Sequence, residues 1–425
     1  MWNLPNADLA SSVCGVFYFE GYRKNKLTNF HGVQNMADSK MPKKERGICS
    51  KWMLCILIGM AGLAAGLPGR AEEDISAIDK NFQPAMVGNR KVHYYNALAK
   101  PFEVTGFAWW KEGEPLYRIP KNLTQKDVNK GVLELANHTS GGAIRFKTDS
   151  PFLTIRIKYI WKGFSDMNHM PRSGSGGVDL YTTDENGKEK YLGSAQPSRG
   201  GKPLERFLAH MPGGKMRNYI VYLPLYSGVS SLELGIRPGS RILSPDPQKI
   251  KKPILFYGSS ITMGGCASRP ANNYTTMLCR AVDAPQINLG FSGSAKGELA
   301  LARAIAELDL AAFVLDYDYN APSVQHLKDT HEAFFLTVRK ARPELPVIIL
   351  SQCSHISKAR RDVIRKTYEN AVARGDRKVW FIDGSELFGE AGDAMCTVDN
   401  CHPNDLGFYM MYKRVLPVLR EALNL

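Results

Sequence analysis

The chain has 425 residues, of which 44% are hydrophobic and 23% are charged, and its formal net charge is +14 at pH 7. This composition is ordinary for a globular protein and excludes a fibrous or intrinsically disordered chain, while the length allows two domains. A positive charge can attract nucleic acid, but the sequence contains no dense cluster of Lys and Arg with interleaved aromatic residues. We therefore expect no nucleic acid among its partners.

The first 71 residues predict a leader that is removed during export. Basic residues between positions 43 and 51 precede an uncharged apolar run at 52–67, and the small residues around Ala71 suit a signal peptidase. The run has 16 residues, fewer than the roughly 20 that span a bilayer; a retained membrane anchor is the alternative. We expect translation to start at Met41, cleavage after Ala71, and a secreted or periplasmic protein without stable membrane insertion.

Residues 72–250 have the pattern of an all-β domain. Short runs of alternating polar and apolar residues are separated by turn pairs such as Gly141-Gly142 and Gly213-Gly214, and no long amphipathic helix intervenes. This pattern predicts a β-sandwich or jelly roll. The strands are expected at residues 143–146, 152–159, 178–181, 219–225 and 231–236.

The Trp109-Trp110 pair in this region has two interpretations. Exposed indole rings can stack on sugars, whereas buried rings would fill the sandwich or the interface between domains, and the second interpretation is the more ordinary one.

Residues 237–252 are rich in Pro and Lys and have no periodicity, so we place the domain junction there.

Residues 251–425 have a different sequence pattern, in which short apolar runs alternate with helical segments. This order predicts βαβ units and a parallel sheet covered by helices on both faces. The strands are expected at residues 254–257, 286–289, 312–316, 347–350 and 379–382, and the helices at 274–282, 295–307, 324–341, 358–374 and 406–422.

Reactive side chains follow several of these strands. Ser260 comes after the first strand, Gly290 after the second and Asn320 after the third, while Asp399 and His402 lie between the fifth strand and the last helix. The carboxyl ends of parallel strands share one edge of the sheet, where open α/β sheets bind their ligands. We therefore expect these five residues to meet in one site.

The residue types suit acyl transfer. A serine hydroxyl is a poor nucleophile until a base removes its proton; His402 can do so near neutral pH, and Asp399 can orient its ring. The oxyanion of the tetrahedral intermediate needs donors, which the backbone N–H groups of Ser260 and Gly290 and the side-chain amide of Asn320 would supply. This chemistry requires neither a cofactor nor a metal, and we expect none.

Each residue also has an alternative interpretation. Asn320 could shape a turn, Asp399 and Asp405 could cap the last helix, and His355 after the fourth strand is a competing base. Asp399, His402 and Asp405 could also ligate a metal, although no second histidine lies in that cluster.

Five of the eight cysteines lie beyond the leader, between positions 266 and 401. In an exported protein Cys396 and Cys401 could form a disulfide that encloses residues 397–400. No pair of cysteines has the CxxC spacing that suggests a zinc site.

The carboxyl-terminal half resembles the SGNH/GDSL hydrolase superfamily of esterases. The four signature blocks match Gly258-Ser-Ser260-Ile, Gly290, Asn320 and Asp399-x-x-His402. The resemblance implies a flavodoxin-like three-layer α/β domain over residues 251–425, with Ser260 as nucleophile and Asp399 and His402 as orienting acid and base. It also implies an oxyanion hole made by Ser260, Gly290 and Asn320.

The sequence departs from the better-known members at Ser259, where they have Asp. Residues 177–181, Gly-Val-Asp-Leu-Tyr, resemble the GxDLY domain that precedes some of these hydrolases in bacteria. Similar two-domain enzymes are carbohydrate esterases that remove acetyl groups, so the resemblance implies an acylated polysaccharide or oligosaccharide as substrate. A lipase or phospholipase-like esterase, and a non-catalytic glycan-binding protein on a hydrolase scaffold, are the alternatives.

Overall fold

Three β-sheets form the framework of the chain, of which a computed structural model describes residues 90–160, 167–183, 189–198, 203–354 and 357–425. The predicted leader and its cleavage site lie outside these residues. Within them, no helix combines the length and the apolar character needed to cross a lipid bilayer.

Two antiparallel sheets pack face to face in the amino-terminal half. Their strands are β1 (His93–Asn96), β2 (Glu103–Thr105), β3 (Ala143–Thr148), β4 (Phe152–Tyr159), β5 (Val178–Thr183), β6 (Glu189–Ala195), β7 (Leu204–His210), β8 (Arg217–Tyr222), β9 (Val229–Ile236) and β10 (Ile242–Leu243). One sheet has the order β1-β9-β4-β7 and the other β10-β3-β8-β5-β6, with β2 beside β3. Ile155 and Leu234 of the first sheet share an apolar core with Phe146 and Val221 of the second. The predicted all-β sandwich is confirmed.

The five predicted strands correspond to β3, β4, β5, β8 and β9, although the predicted 219–225 runs past the end of β8 at Tyr222. The strands that the sequence pattern misses are short or carry half-exposed residues on both faces, so their alternation is weak. One of them, β10, lies inside the stretch assigned to the domain junction and pairs with β3. The sandwich therefore extends into that stretch.

The carboxyl-terminal half contains a five-stranded parallel sheet. Its strands are β11 (Ile254–Gly258), β12 (Gln286–Gly290), β13 (Ala312–Asp316), β14 (Val347–Leu350) and β15 (Val379–Ile382), in the order β12-β11-β13-β14-β15. The helices of the described chain are α1 (Lys130–Leu135), α2 (Arg172–Ser175), α3 (Ser260–Met263), α4 (Tyr274–Val282), α5 (Leu299–Ala306), α6 (Val324–Ala341), α7 (Lys358–Ala373), α8 (Gly392–Cys396) and α9 (Asp405–Ala422).

Helices cover both faces of the parallel sheet. Apolar side chains of α5, α6 and α7 pack on one face, and those of α4 and α9 pack on the other. This is the predicted three-layer arrangement, and the strand order is that of a flavodoxin-like sheet. In such a sheet the second strand lies on one side of the first, and the remaining strands lie on the other. The carboxyl end of β11 lies at this switch point, and Ser260 follows it.

The stretch around α1 precedes the sandwich strands β3 to β10 in sequence but packs on the parallel sheet. Ile119 and Val132 share an apolar core with Leu289 of β12. Trp109 packs against this core, whereas Trp110 packs against the core of the sandwich. The tryptophan pair thus fills the junction between the two cores, which favours the interface interpretation over sugar stacking.

Candidate active site

The strand β11 ends in a sharp turn that presents Ser260 at the start of α3. A Cβ at Gly258 would lie 2.2 Å from Thr262 Oγ1 and 2.3 Å from the Asp316 carbonyl oxygen, so only glycine fits the turn. Ser259 caps the helix by accepting a hydrogen bond from the Ile261 N–H at 3.1 Å. Because Ser260 is the first helical residue, its own N–H has no acceptor within the helix.

The side chains of Ser260, His402 and Asp399 form one continuous chain of hydrogen bonds. Ser260 Oγ lies 2.9 Å from His402 Nε2, and His402 Nδ1 lies 2.7 Å from Asp399 Oδ2. Ser260 is 8% exposed, so its hydroxyl is shielded yet reachable from solvent. The structure thus brings Ser260 to His402, 142 positions further along the chain, and to Asp399 through the His402 ring.

A tight loop holds Asp399 against His402. Asp399 Oδ1 accepts hydrogen bonds from the Cys401 N–H at 3.1 Å and the His402 N–H at 2.7 Å, which leaves Oδ2 for the ring. Asn400 has a φ of 67°, a left-handed conformation that asparagine tolerates and that lets the chain turn back. Partial burial raises the pKa of Asp399, but the hydrogen bonds from His402 outweigh it and hold that pKa below its usual value. Asp399 is therefore a carboxylate at neutral pH.

Asp405 ties the His402 loop to the segment that follows Ser260. Its carboxylate accepts hydrogen bonds from the Ser268 N–H at 2.8 Å, from the Ser268 hydroxyl and from Asn272 Nδ2 at 2.7 Å. The cap of α9 is Asn404, whose side chain accepts from the Gly407 N–H, and this contradicts the alternative in which Asp399 or Asp405 caps the helix. Asp405, three residues after His402, is thus bonded to Ser268 and Asn272, which follow α3.

A buried carboxylate at the end of β13 accepts a hydrogen bond from α3. Asp316 Oδ2 accepts hydrogen bonds from Thr262 Oγ1 and Tyr274 OH, both at 2.7 Å. Burial raises the pKa of Asp316 to about 6, although both hydrogen bonds act in the opposite direction. These bonds restrain the single turn that carries Ser260.

Gly290 does not have the predicted geometry. It is the last residue of β12, and its N–H donates to Asn288 Oδ1 at 2.8 Å. A Cβ at this position would lie 2.2 Å from the Met263 backbone nitrogen, so the reason for glycine is the close packing of α3. The N–H that the sequence assigns to an oxyanion is therefore already bonded to a side chain of its own strand.

Asn320 lies beside the loop that follows β12. Its Nδ2 donates to the Phe291 carbonyl at 3.0 Å, and the second hydrogen of this amide remains for another acceptor. The loop continues to Gly293, which is exposed, has a φ of 64° and has open space where a Cβ would be. Asn320 and Gly293 thus adjoin the same stretch of backbone.

The sandwich half contributes side chains that sequence reasoning did not single out. Tyr226 OH donates to the Ser260 carbonyl at 3.3 Å, Ser140 Oγ to the Met263 carbonyl at 2.6 Å, and Ser173 Oγ to the Ser268 carbonyl at 2.7 Å. The Ser260 carbonyl also accepts the N–H groups of Gly264 and Gly265, whereas the Met263 and Ser268 carbonyls lie at and beyond the end of α3. No local sequence signal marks these donors, because the contact arises from the packing of two distant segments.

A histidine of the sandwich half also lies near the loop that carries Asp399 and His402. The ring of His169 lies 6.0 Å from the ring of His402 between centroids, and His169 is exposed. Met170, the next residue, is buried in the core beside α9. This anchors the segment that presents His169 to the site.

The GxDLY-like motif connects the sandwich to the same region. Asp179 is fully buried, and its Oδ2 accepts a hydrogen bond from the Ala271 N–H at 2.9 Å and lies 3.5 Å from Arg269 Nη1. Burial raises the pKa of Asp179 to about 6, and the Arg269 charge opposes this shift. A Cβ at Gly177 would lie 2.3 Å from the Ser173 carbonyl oxygen, which explains the glycine of the motif.

The remaining alternatives from the sequence have different outcomes. His355, the competing base, lies outside the described residues. Cys396 and Cys401, which are described, are not joined by a disulfide. Over the same described ranges, no group of three or more His, Cys, Asp or Glu side chains has the arrangement of a metal site.

Comparisons with known proteins place both halves of the chain. The model of the GDSL-like lipase/acylhydrolase family matches residues 251–420, and that of the N-terminus of SGNH-hydrolase-type esterases, GxDLY, matches residues 92–242. No curated protein sequence matches the chain. Among solved structures, a GDSL-like lipase from Bacteroides ovatus is 30% identical, with a TM-score of 0.70, and the match covers 79% of this chain and 98% of that one.

Two more distant structures share the fold. A salicylyl-acyltransferase from a tetracycline biosynthetic pathway is 17% identical, with a TM-score of 0.64 and coverage of 79% of this chain and 98% of the other. An acetyl xylan esterase from Butyrivibrio proteoclasticus is 16% identical, with a TM-score of 0.50 and coverage of 78% and 99%. At these identities the likeness concerns the architecture alone.

Proposed function

Because the chain belongs to the family of GDSL-like lipases and acylhydrolases, we propose that it is a serine esterase whose nucleophile is Ser260. The observation that carries this proposal is the chain of hydrogen bonds from Ser260 Oγ through His402 to Asp399, at 2.9 and 2.7 Å. These distances lie within the range in which a base can take the proton of a nucleophile. The proposal assigns His402 the role of base and Asp399 that of the orienting carboxylate.

The reaction proceeds through an acyl-enzyme. Ser260 Oγ attacks the carbonyl carbon of the ester while His402 Nε2 takes the hydroxyl proton, and Asp399 stabilises the resulting imidazolium. His402 then gives the proton to the oxygen of the leaving alcohol, and the acyl group stays on Ser260. A water molecule, deprotonated by His402 in the same way, releases the acid and restores the serine.

The oxyanion is held by donors at the rim above α3. The Ser260 N–H, which has no acceptor in its helix, and the Asn320 side chain are two of them. In place of Gly290, whose N–H is bonded to Asn288, we assign the third donor to Gly293, which adjoins the backbone that Asn320 contacts. Fixed donors of this kind stabilise the transition state without reorganisation.

The substrate we propose is a carbohydrate that carries a short acyl group, most simply acetyl. Three observations support this choice: the leader predicted for export, the likeness of fold to an acetyl xylan esterase, and the exposed His169 of the sandwich beside His402. A polar residue at this position can contact the hydroxyl groups of a sugar on the alcohol side of the ester. The sandwich then forms part of the binding surface.

A long-chain ester is the second candidate, favoured by apolar side chains around the catalytic loop. Met395 of α8 is 62% exposed, and Val398, Leu406 and Tyr409 are also exposed on the loop and on the first turns of α9. Contiguous exposed apolar surface marks binding sites for apolar ligands. A lipase-like preference would use this surface for the acyl chain.

The test is a screen of the purified protein against acetylated xylan and p-nitrophenyl esters of increasing chain length, with Ser260→Ala as the inactive control. Release of acetate from xylan and a fall in activity with chain length support the carbohydrate esterase. Preference for chains of eight carbons or more favours the lipase. Glycan binding without hydrolysis of any ester would leave the non-catalytic alternative.

For export, sequencing of the mature protein from a bacterial host should give Glu72 as the first residue.

A further inference from the structure

Arg118 is buried between the two halves of the molecule. It lies in the stretch before α1 and has no solvent exposure. Its Nη1 donates to the carbonyl oxygens of Asn288 at 2.8 Å and Gly290 at 2.9 Å, and its Nη2 donates to the Leu135 carbonyl at 2.7 Å. These three hydrogen bonds of the guanidinium all go to backbone carbonyls.

Within the described residues Arg118 forms no ion pair, and its Nε has no hydrogen-bond partner there. Burial lowers the pKa of Arg118 to about 9, although the nearby Tyr226 and Tyr117 oppose this shift. The group is still a cation at neutral pH, and a desolvated charge without a counter-ion is costly. An apolar residue would satisfy packing alone at less cost, so the position calls for a role that uses the charge or the fork of donors.

Two of the carbonyls that Arg118 binds lie near the carboxyl end of β12. The loop that follows, residues 291–293, contains the oxyanion donor assigned to Gly293. Asn288 and Gly290 are among the last three residues of β12. The guanidinium carbon lies 4.7 Å from the ring centroid of Phe291, the first loop residue. The Phe291 carbonyl in turn accepts the hydrogen bond from Asn320. One side chain of the amino-terminal half thus holds both the end of β12 and the residue against which Asn320 is placed.

We propose that Arg118 is a positioning residue of the active site, which fixes the backbone at residues 288–293 so that the oxyanion donors face the Ser260 hydroxyl. This inference rests on the esterase function proposed above. The fork of Nη1 and Nη2 sets the direction of the strand end, and the cation adds positive potential beneath the loop where negative charge develops. Neither effect requires Arg118 to touch the substrate.

A purely structural role, as a latch between the halves, is the competing explanation. Arg280 provides a matched control, because it is another arginine at the contact between the halves. It pairs with Glu189 and donates to the Ala271 carbonyl at 3.3 Å, and these partners lie outside β12 and the loop that follows it. Loss of either arginine should weaken the contact, but only loss of Arg118 should disturb the loop.

The experiment compares full-length wild-type, Arg118→Met, Arg118→Lys and Arg280→Met proteins. The measurements are kcat and KM for p-nitrophenyl acetate, the melting temperature, and hydrogen–deuterium exchange of peptides covering residues 286–297. We expect Arg118→Met to lower kcat about 10- to 100-fold with KM changed less than about threefold, as for a misplaced catalytic group. Its loop amides should exchange faster, Arg118→Lys should recover part of both effects, and Arg280→Met should show neither.

Two results would overturn the proposal: a kcat of Arg118→Met no lower than that of Arg280→Met, or loop exchange unchanged in the Arg118 variants. If Arg118→Met does not fold, Arg118→Lys, which keeps the charge but not the planar fork, decides the question by the same two measurements. If the wild-type protein hydrolyses no ester, the proposed function fails, and loop exchange alone decides whether Arg118 positions this backbone.

Discussion

Replacement of Asp399 by Asn tests the proposed catalytic roles, because it should change which nitrogen of the His402 ring carries the proton. Asp399 Oδ1 accepts two backbone N–H groups, from Cys401 and His402, so the amide nitrogen of an asparagine cannot occupy that position without opposing donors. The carbonyl oxygen of the new side chain must stay there, and its NH2 group must face His402 Nδ1. The ring then has to accept at Nδ1 and carry its proton on Nε2, which points at Ser260 Oγ.

A histidine in that tautomer cannot take the serine proton. We therefore expect Asp399→Asn to lower kcat by about 10⁴-fold, the loss that a wrong tautomer causes in a serine protease triad. This loss corresponds to about 5.4 kcal/mol of transition-state stabilisation. KM for a small ester should change little, since Asp399 does not touch the substrate in the proposed mechanism.

The assay is steady-state hydrolysis of p-nitrophenyl acetate, with folding checked by circular dichroism. Asp393→Asn in α8 removes the same charge from the same segment and serves as the control, because Asp393 lies outside the chain of bonds to Ser260. Retention of more than about a tenth of the wild-type kcat by Asp399→Asn, a loss below 1.4 kcal/mol, would show that the tautomer argument is wrong.

Three further substitutions probe the surroundings of the triad. Asn320→Ala should lower kcat by about 10²-fold or more through loss of one oxyanion donor; an unchanged kcat would remove Asn320 from the mechanism. Gly290→Ala should lower the free energy of unfolding in urea by about 1–3 kcal/mol, because the added Cβ would lie 2.2 Å from the Met263 nitrogen; equal midpoints would contradict the packing explanation. His169→Ala should raise KM for acetylated xylan more than KM for p-nitrophenyl acetate, and equal effects on both would speak against a contact with the sugar.

The parallel sheet and its helices could be predicted from the sequence almost to the residue. The predicted bounds of β13, β14 and β15 equal the observed ones, as do those of α4 and α6. Such strands lie inside three layers, so their residues are nearly all apolar and contrast sharply with the amphipathic helices between them. The edge strands of the sandwich lack this contrast, and β1, β6 and β7 were not predictable for that reason.

The proximity of Ser260, Asp399 and His402 could be predicted because spacing along the chain controls it, while their catalytic roles stay a prediction. Asp399 and His402 share one loop, and the end of β11 determines where Ser260 emerges. Gly290 shows the limit of this reasoning, because its N–H is bonded to the Asn288 side chain and no sequence pattern indicates this contact. The role proposed for Arg118 could not be foreseen, since its two partners in β12 lie 170 and 172 positions away and are backbone atoms without a sequence signature.

The hydrogen bonds from Tyr226, Ser140 and Ser173 to carbonyls around α3 bear on attempts to engineer this protein. The carboxyl-terminal half resembles a separable domain, yet the backbone around Ser260 is held by side chains of the amino-terminal half. Grafting residues 251–425 alone onto another carrier would strip away those donors. It would also lay bare the apolar surface that Leu225 and Met170 now cover. A minimal catalyst built from this fold has to retain both halves.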